Sequence, residues 1–288
     1  MRKTVVIFIL IINILTLACC TQQSQTAQVA TTTLPVYEFT EFICQGTDIQ
    51  VVRLITEEVS CLHDYTLRTG QMRAIESAEL IVISGGGLED FLGNAIDGKD
   101  LVDASVNIDL HCAHAHEHEN HHHESDPHYW LSPKNAMIMA ENICSRLSDK
   151  YPEHKNIFFN NKTQLLERLA QLDEDAQKAL DNLEYNELIT FHDGFAYLAE
   201  AYDLHILKAI EEESGSEASA AELIEIIRLV QDHSLPAIFI EQNGSSSAAE
   251  IISAETGAKI YTLDMAMSAD SYFEAMYHNI NTLKEALG

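Results

Sequence analysis

Between Tyr151 and Leu183 the chain carries an apolar stripe, Leu165, Leu169, Leu172, Ala176, Leu180 and Leu183, at spacings of 4, 3, 4, 4 and 3. No Gly or Pro interrupts the segment after Pro152, so these residues share one face of a single helix. At about 1.5 Å rise per residue, such a helix is a rod of roughly 45 Å. Nothing else in the chain has matching length, so a coiled-coil partner helix is disfavoured and a rigid strut between two halves is expected.

The two halves share one grammar, apolar strand-like runs alternating with amphipathic helices, which points to α/β layering with mainly parallel strands. In the first half, strands are expected at Ile49–Leu54, Glu79–Ser84 and Leu101–Asp103, and helices at Pro35–Cys44, Gly70–Ser77 and Pro133–Lys150. Ser132 and Pro133 suit a helix cap and first turn. In the second half, strands are expected at Glu187–Phe191, His205–Ala209, Ala237–Glu241 and Lys259–Leu263. The matching helices are Phe195–Tyr202, Ala218–Asp232, Ser245–Glu255 and Ser271–Leu287. The expected fold class is therefore α/β: two Rossmann-like lobes, residues 33–150 and 185–288, joined by a connecting helix over 151–184. Such sheets bind ligands beyond the carboxyl ends of their strands, which places a site in the cleft between lobes.

Charge narrows the ligand. The formal balance is 17 − 45 = −28 with histidine neutral, a surface that repels nucleic acid and phosphate anions and gathers cations. Apolar residues form 46% of the chain, enough for a sizeable core. Fourteen histidines are present, and seven lie between His111 and His123.

The N-terminus reads as an address. Arg2-Lys3 precede an apolar run from Val5 to Ala18, short for a membrane span of about 20 residues and typical of an export signal. Ala18 before Cys19 resembles a bacterial lipoprotein cleavage box, so residues 1–18 are expected to be a signal peptide and Cys19 the lipidated residue. The polar stretch Gln22–Thr33 suits a flexible tether, placed at residues 19–32. The protein is thus expected outside the cytoplasm, lipid-anchored to a bacterial cell membrane. Cys44, Cys61, Cys112 and Cys144 remain in the body, and four cysteines allow three pairings. Placement at opposite sheet ends favours Cys61–Cys112 and Cys44–Cys144 over a Cys44–Cys61 bond, with free structural thiols the alternative.

Four residues fall at strand ends facing the expected cleft: His63 in Cys61-Leu-His-Asp-Tyr65, His128 in Asp126-Pro-His-Tyr-Trp130, His192 in Thr190-Phe-His-Asp-Gly194 and Asp264 in Tyr261-Thr-Leu-Asp264. Two come from each lobe. Three imidazoles and one carboxylate suit tetrahedral Zn²⁺ at about 2.0–2.2 Å per bond. Asp64, Asp193 and Glu241 are candidates to orient the imidazoles through their second ring nitrogen. Each histidine alone is more often a hydrogen-bonded loop residue; their joint placement carries the reading.

These blocks resemble the zinc-specific members of the TroA-like metal-binding lipoproteins (the ZnuA type), the solute-binding subunits of zinc-uptake ABC transporters. The resemblance rests on His63-Asp-Tyr65, on Glu79-Leu-Ile-Val-Ile-Ser-Gly-Gly-Gly-Leu-Glu89, on Asp126-Pro-His-Tyr-Trp-Leu-Ser-Pro133, on Thr190-Phe-His-Asp-Gly-Phe195 and on the closing helix. It implies a monomeric carrier that holds Zn²⁺ as cargo on His63, His128, His192 and Asp264 and delivers it to a membrane permease. A carboxylate at the third ligand position would resemble manganese binders, so His192 tilts the reading to zinc. Thr69-Gly70, Gln242 and Met265-Ala266 depart from the family pattern, and the last pair adjoins a ligand.

The segment His111–Glu124 has no core periodicity and resembles the histidine-rich insertion of zinc-type members. His111, His114, His116, His118, His121, His122 and His123 are expected to collect or sense metal as an accessory loop, with a dispensable loop the alternative. Other readings are a manganese or other divalent-metal carrier, a secreted zinc hydrolase and an adhesin. A hydrolase keeps a coordination position for water beside a carboxylate base, whereas four protein ligands close the shell. His118-Glu119 lacks the H-E-x-x-H spacing. Gly85-Gly-Gly87 lacks a phosphate-loop pattern and is expected to be a turn. Metal binding is expected to weaken below about pH 6.5, because protonated imidazole cannot ligate.

Overall fold

The computed structural model describes residues 27–57, 62, 65–111, 125–211, 218–242, 244, 246–267 and 270–288. The first sheet contains β1 (Val29–Thr31), β2 (Val51–Arg53), β3 (Leu80–Ile83) and β4 (Leu101–Asp103), in the order β2-β1-β3-β4. The second contains β5 (Glu187–His192), β6 (His205–Glu211), β7 (Ala237–Glu241) and β8 (Lys259–Leu263), in the order β6-β5-β7-β8. Every neighbouring pair is parallel. Counted from its own first strand, each sheet has the order 2-1-3-4, so each has its switch point between first and third strands.

The helices of the first lobe are α1 (Leu34–Cys44), α2 (Thr69–Ser77) and α3 (Pro133–Lys150); α5 (Ala196–Ala201), α6 (Ala220–Asp232), α7 (Ser247–Thr256) and α8 (Tyr272–Leu287) belong to the second half. Between them runs α4 (Lys155–Leu180), 26 residues and about 39 Å long. A 3-10 turn at Pro152–His154 precedes it, where proline forbids a continuous α-helix. Leu165, Leu169, Leu172, Ala176 and Leu180 are buried, as their stripe requires, and α4 packs on α1, α3 and α8.

One element escapes the sequence pattern. The stretch expected to be a polar tether ends in β1, whose three residues are buried and pair with both β2 and β3. Three residues are too few to show alternation, and the flanking threonines resemble a linker. Pairing on both sides decides the conformation, not local composition.

One large core runs through both lobes. It joins Val29, Phe39 and Ile81 of the first lobe to Leu165 and Leu172 of α4, and on to Phe239, Leu263, Met276 and Leu283 of the second half. A smaller cluster, including Ile189, Phe191, Ile226, Val230 and Ile252, lies under α6 and α7. Polar ties cross between the lobes as well. Trp130 Nε1 donates to the Met265 carbonyl at 2.8 Å, Tyr272 Oη donates to the Trp130 carbonyl at 2.8 Å, and the Tyr272 N–H donates to Glu38 at 2.6 Å. Arg168 lies over the Phe273 ring at 4.1 Å.

The bond expected between Cys44 and Cys144 is not formed; both are buried free thiols. Both pack as small apolar side chains, and burial pushes the Cys44 thiol up to about 12 and raises Cys144 too. That disfavours the thiolate that disulfide formation needs. Cys61 and Cys112 lie outside the described residues, as do Cys19, His63, Asp64 and the histidines from His114 to His123. Among the described residues no helix is long and apolar enough to cross a membrane.

Candidate metal centre

Strand alternation places the first imidazole. Ile189 and Phe191 face the smaller cluster, so Thr190 and His192 face the other side of β5. On β7, Ala237 and Phe239 belong to the large core, and Glu241 shares their face at the strand end. His192 and Glu241 therefore emerge on either side of the second lobe's switch point. The His192 Nδ1 to Glu241 Oε2 distance is 3.9 Å, longer than a hydrogen bond.

His128 comes from the first lobe, immediately before the 3-10 turn Tyr129–Leu131 that leads into α3. Its Nδ1 lies 2.8 Å from Asp126 Oδ1, which also accepts the His128 backbone N–H at 2.9 Å. A carboxylate only accepts here, so the ring proton sits on Nδ1 and Nε2 remains the donor atom for a metal. Asp126 therefore holds the His128 ring, a residue the sequence pattern did not single out. Its signal was its place two residues before the histidine. The His128 and His192 rings meet edge to face with centroids 5.3 Å apart, and both side chains are buried.

Asp264 follows β8 and is buried. Its N–H donates to Asn279 Oδ1 at 2.7 Å, its carbonyl accepts from Asn279 Nδ2 at 2.7 Å, and its Oδ1 accepts the Ala266 N–H at 2.7 Å. Burial raises its carboxyl pKa, against the lowering effects of the Ala266 N–H and His278. Among the described residues no group of three or more His, Cys, Asp or Glu is arranged to hold a metal. The structure thus brings two of the four expected ligands together, while His63 is outside its description.

The first lobe's switch point is occupied differently. Glu89 is buried, and its Oε1 accepts from Thr32 Oγ1 at 2.6 Å and from the Ser84 N–H at 2.7 Å. Its Oε2 accepts the Gly85 N–H at 2.9 Å. Burial pushes its carboxyl up to about 7, opposed by these donors. Gly85 has φ +81°, and a β-carbon there would strike Asp103, so the expected turn requires glycine on both counts. The Ser84 carbonyl in turn accepts from Tyr129 Oη, which links this network to the His128 loop.

A separate cavity of about 810 Å³ lies beside α5 and β6, lined by His111, Asp193, Glu200, Asp203 and His205 among others. His111 stacks on Tyr197 at 4.1 Å, and its Nε2 meets Glu200 Oε2 at 2.8 Å. The base of the histidine-rich segment is closed by the Asp126 N–H donating to the His111 carbonyl at 2.9 Å.

Two parallel α/β lobes of one strand order, tied by a long helix and meeting at two buried imidazoles, define a bilobal cleft protein. Residues 29–286 match the family described as zinc-uptake complex component A, periplasmic (ZnuA), and the chain belongs to that family. The zinc-binding protein AdcA of Streptococcus pyogenes serotype M3 is 29% identical, over 99% of this chain and 61% of its own length. This chain therefore spans about three-fifths of that relative. The metal-dependent lipoprotein YcdH of Bacillus subtilis superposes with a TM-score of 0.76 at 29% identity, covering 90% of this chain and 99% of its own. Zn(II)-bound AdcA of Streptococcus pneumoniae has the same TM-score and identity, covering 90% of this chain and 57% of its own.

Proposed function

We propose that this protein captures Zn²⁺ in the cleft between its lobes and hands it to the permease of a zinc-uptake ABC transporter. The carrying observation is the meeting of two buried imidazoles, one from each lobe, 5.3 Å apart. Membership of the zinc-uptake family and likeness to a Zn(II)-bound relative support zinc as cargo. His63, His128, His192 and Asp264 are the proposed ligands, and a fourfold protein shell favours carriage over hydrolysis. The protein acts as a monomer outside the cytoplasm. Residues 1–18 direct export and a lipid on Cys19 holds the lobes 33–150 and 185–288, with their connecting segment 151–184, at the membrane. Cys61–Cys112 is proposed as a bond beside the cleft, and His111–Glu124 as an accessory collector.

The test is a chelator-competition titration with Zn²⁺ and Mn²⁺, with and without residues 111–124. One tight zinc site that survives the deletion and is lost in His192→Ala is expected. Loss of tight binding with the loop alone would refute the cleft assignment. Turnover of a peptide or ester by the zinc-loaded protein, abolished in His128→Ala, would refute carriage in favour of hydrolysis.

A further inference from the structure

Gly194 lies between the end of β5 and the start of α5, two residues after His192. Its backbone is outside the left-handed region, so an L-residue fits its conformation, unlike Gly85. The constraint there is space. A β-carbon on Gly194 would lie 2.4 Å from Met265 Cε, 2.9 Å from His128 Nδ1 and 2.9 Å from His192 Cδ2. One missing methyl group thus separates three side chains, one of them from the opposite lobe.

These neighbours differ in how they can yield. His128 is held by Asp126 at 2.8 Å and lies edge to face with Trp130, its ring centroid 5.5 Å away. Met265 is fixed by its carbonyl, which accepts from Trp130 Nε1, while its unbranched thioether fills whatever room Gly194 leaves. Met265 is 2% exposed, so the thioether has no solvent to move into. An added methyl at position 194 meets Met265 Cε first and must displace it or shift one or both imidazoles.

We propose that Gly194 and Met265 form a size-matched pair that sets how closely His128 and His192 approach, and so selects a small tetrahedral cation over a larger one. The inference rests on the zinc-carrier reading and names the residues that set its selectivity. Zinc takes imidazole nitrogen at about 2.0–2.1 Å in a tetrahedral shell. Manganese accepts a more open, oxygen-rich octahedral shell. Spreading the imidazoles by a few tenths of an ångström therefore penalises zinc more than manganese.

The experiment measures Zn²⁺ and Mn²⁺ affinities of the full chain as a double-mutant cycle of Gly194→Ala and Met265→Ala, with His192→Ala as reference. Gly194→Ala is expected to weaken zinc about 10- to 100-fold, as disturbed support of metal ligands does. Manganese should change far less, so the selectivity ratio falls. Met265→Ala in the Gly194→Ala background should recover part of the lost zinc affinity, which a general folding defect would not allow. Zinc binding of Gly194→Ala within about threefold of the parent, or no recovery in the double variant, would overturn the proposal. If Gly194→Ala does not fold, Met265→Ala alone decides: a lower zinc-to-manganese ratio supports the pair, and an unchanged ratio overturns it. Failure of the underlying reading looks different, because the parent protein would then have no tight zinc site sensitive to His192→Ala.

Discussion

The two lobes share one strand order but use the same position in opposite ways. At the first lobe's switch point, the Glu89 carboxylate is consumed by Thr32, Ser84 and Gly85 and ties strand-end turns together. At the second lobe's switch point, His192 and Glu241 stand 3.9 Å apart beside the opposite lobe's His128. Fold places polar groups at both crevices; in the first they close hydrogen bonds within the lobe, and at the second stand the residues proposed above to face the metal. The first lobe supplies its imidazole from a loop instead, held by Asp126.

Removing one imidazole per lobe has the largest expected effect. His128→Ala and His192→Ala should each weaken zinc by more than about 100-fold, since disturbing ligand support alone costs 10- to 100-fold. Chelator competition reads both. Equal losses fit a site shared across the cleft, whereas a loss confined to one variant would assign the metal to a single lobe.

Next in size is the core that makes the lobes one unit. Leu169→Ala, in the fully buried stripe of α4, should destabilise by about 2–5 kcal/mol while urea unfolding stays a single transition. Two separated transitions would show that the lobes hold together independently.

Asp126→Asn sharpens the contrast between a supported and a spent carboxylate. It keeps the shape but weakens the charge that fixes the His128 ring, and should cost about 10- to 100-fold in zinc affinity. Affinity unchanged in the same titration would mean the ring needs no such hold.

The smallest effect concerns Glu89. Its carboxyl moves from an ordinary 4.5 up to about 7 on folding, so the folded state holds more protons between those values. The stability from the protonated form is complete below about pH 4.5 and is lost as pH rises through about 7. Glu89→Gln stays neutral, so its stability relative to the parent should rise by on the order of 1 kcal/mol from pH 5 to pH 8. Urea melts of metal-free protein at the two pH values measure this. A falling difference would show that the three donors outweigh burial.

Legibility in the sequence followed the length of the signal. β7 and β8 are found at their expected limits, because short runs rich in β-branched and aromatic residues, bounded by turn residues, leave little freedom. The strut was legible from its leucine spacing, although Pro152 starts a 3-10 turn and not the helix itself. β1 was not legible, since its strand state comes from two neighbours distant in the chain. At the site, His128 and His192 were found as strand-end and loop histidines. Gly194 was invisible because the role proposed for it is the absence of an atom where the nearby His192 meets two side chains distant in sequence, Met265 and His128.

The proposed function stands or falls on one zinc ion bridging the lobes at His128 and His192. Anomalous diffraction at the zinc edge from zinc-loaded crystals tests it directly. One strong peak is expected about 2.0–2.1 Å from a nitrogen of each imidazole. A peak found only among the histidines of residues 111–124, with none between His128 and His192, would contradict it.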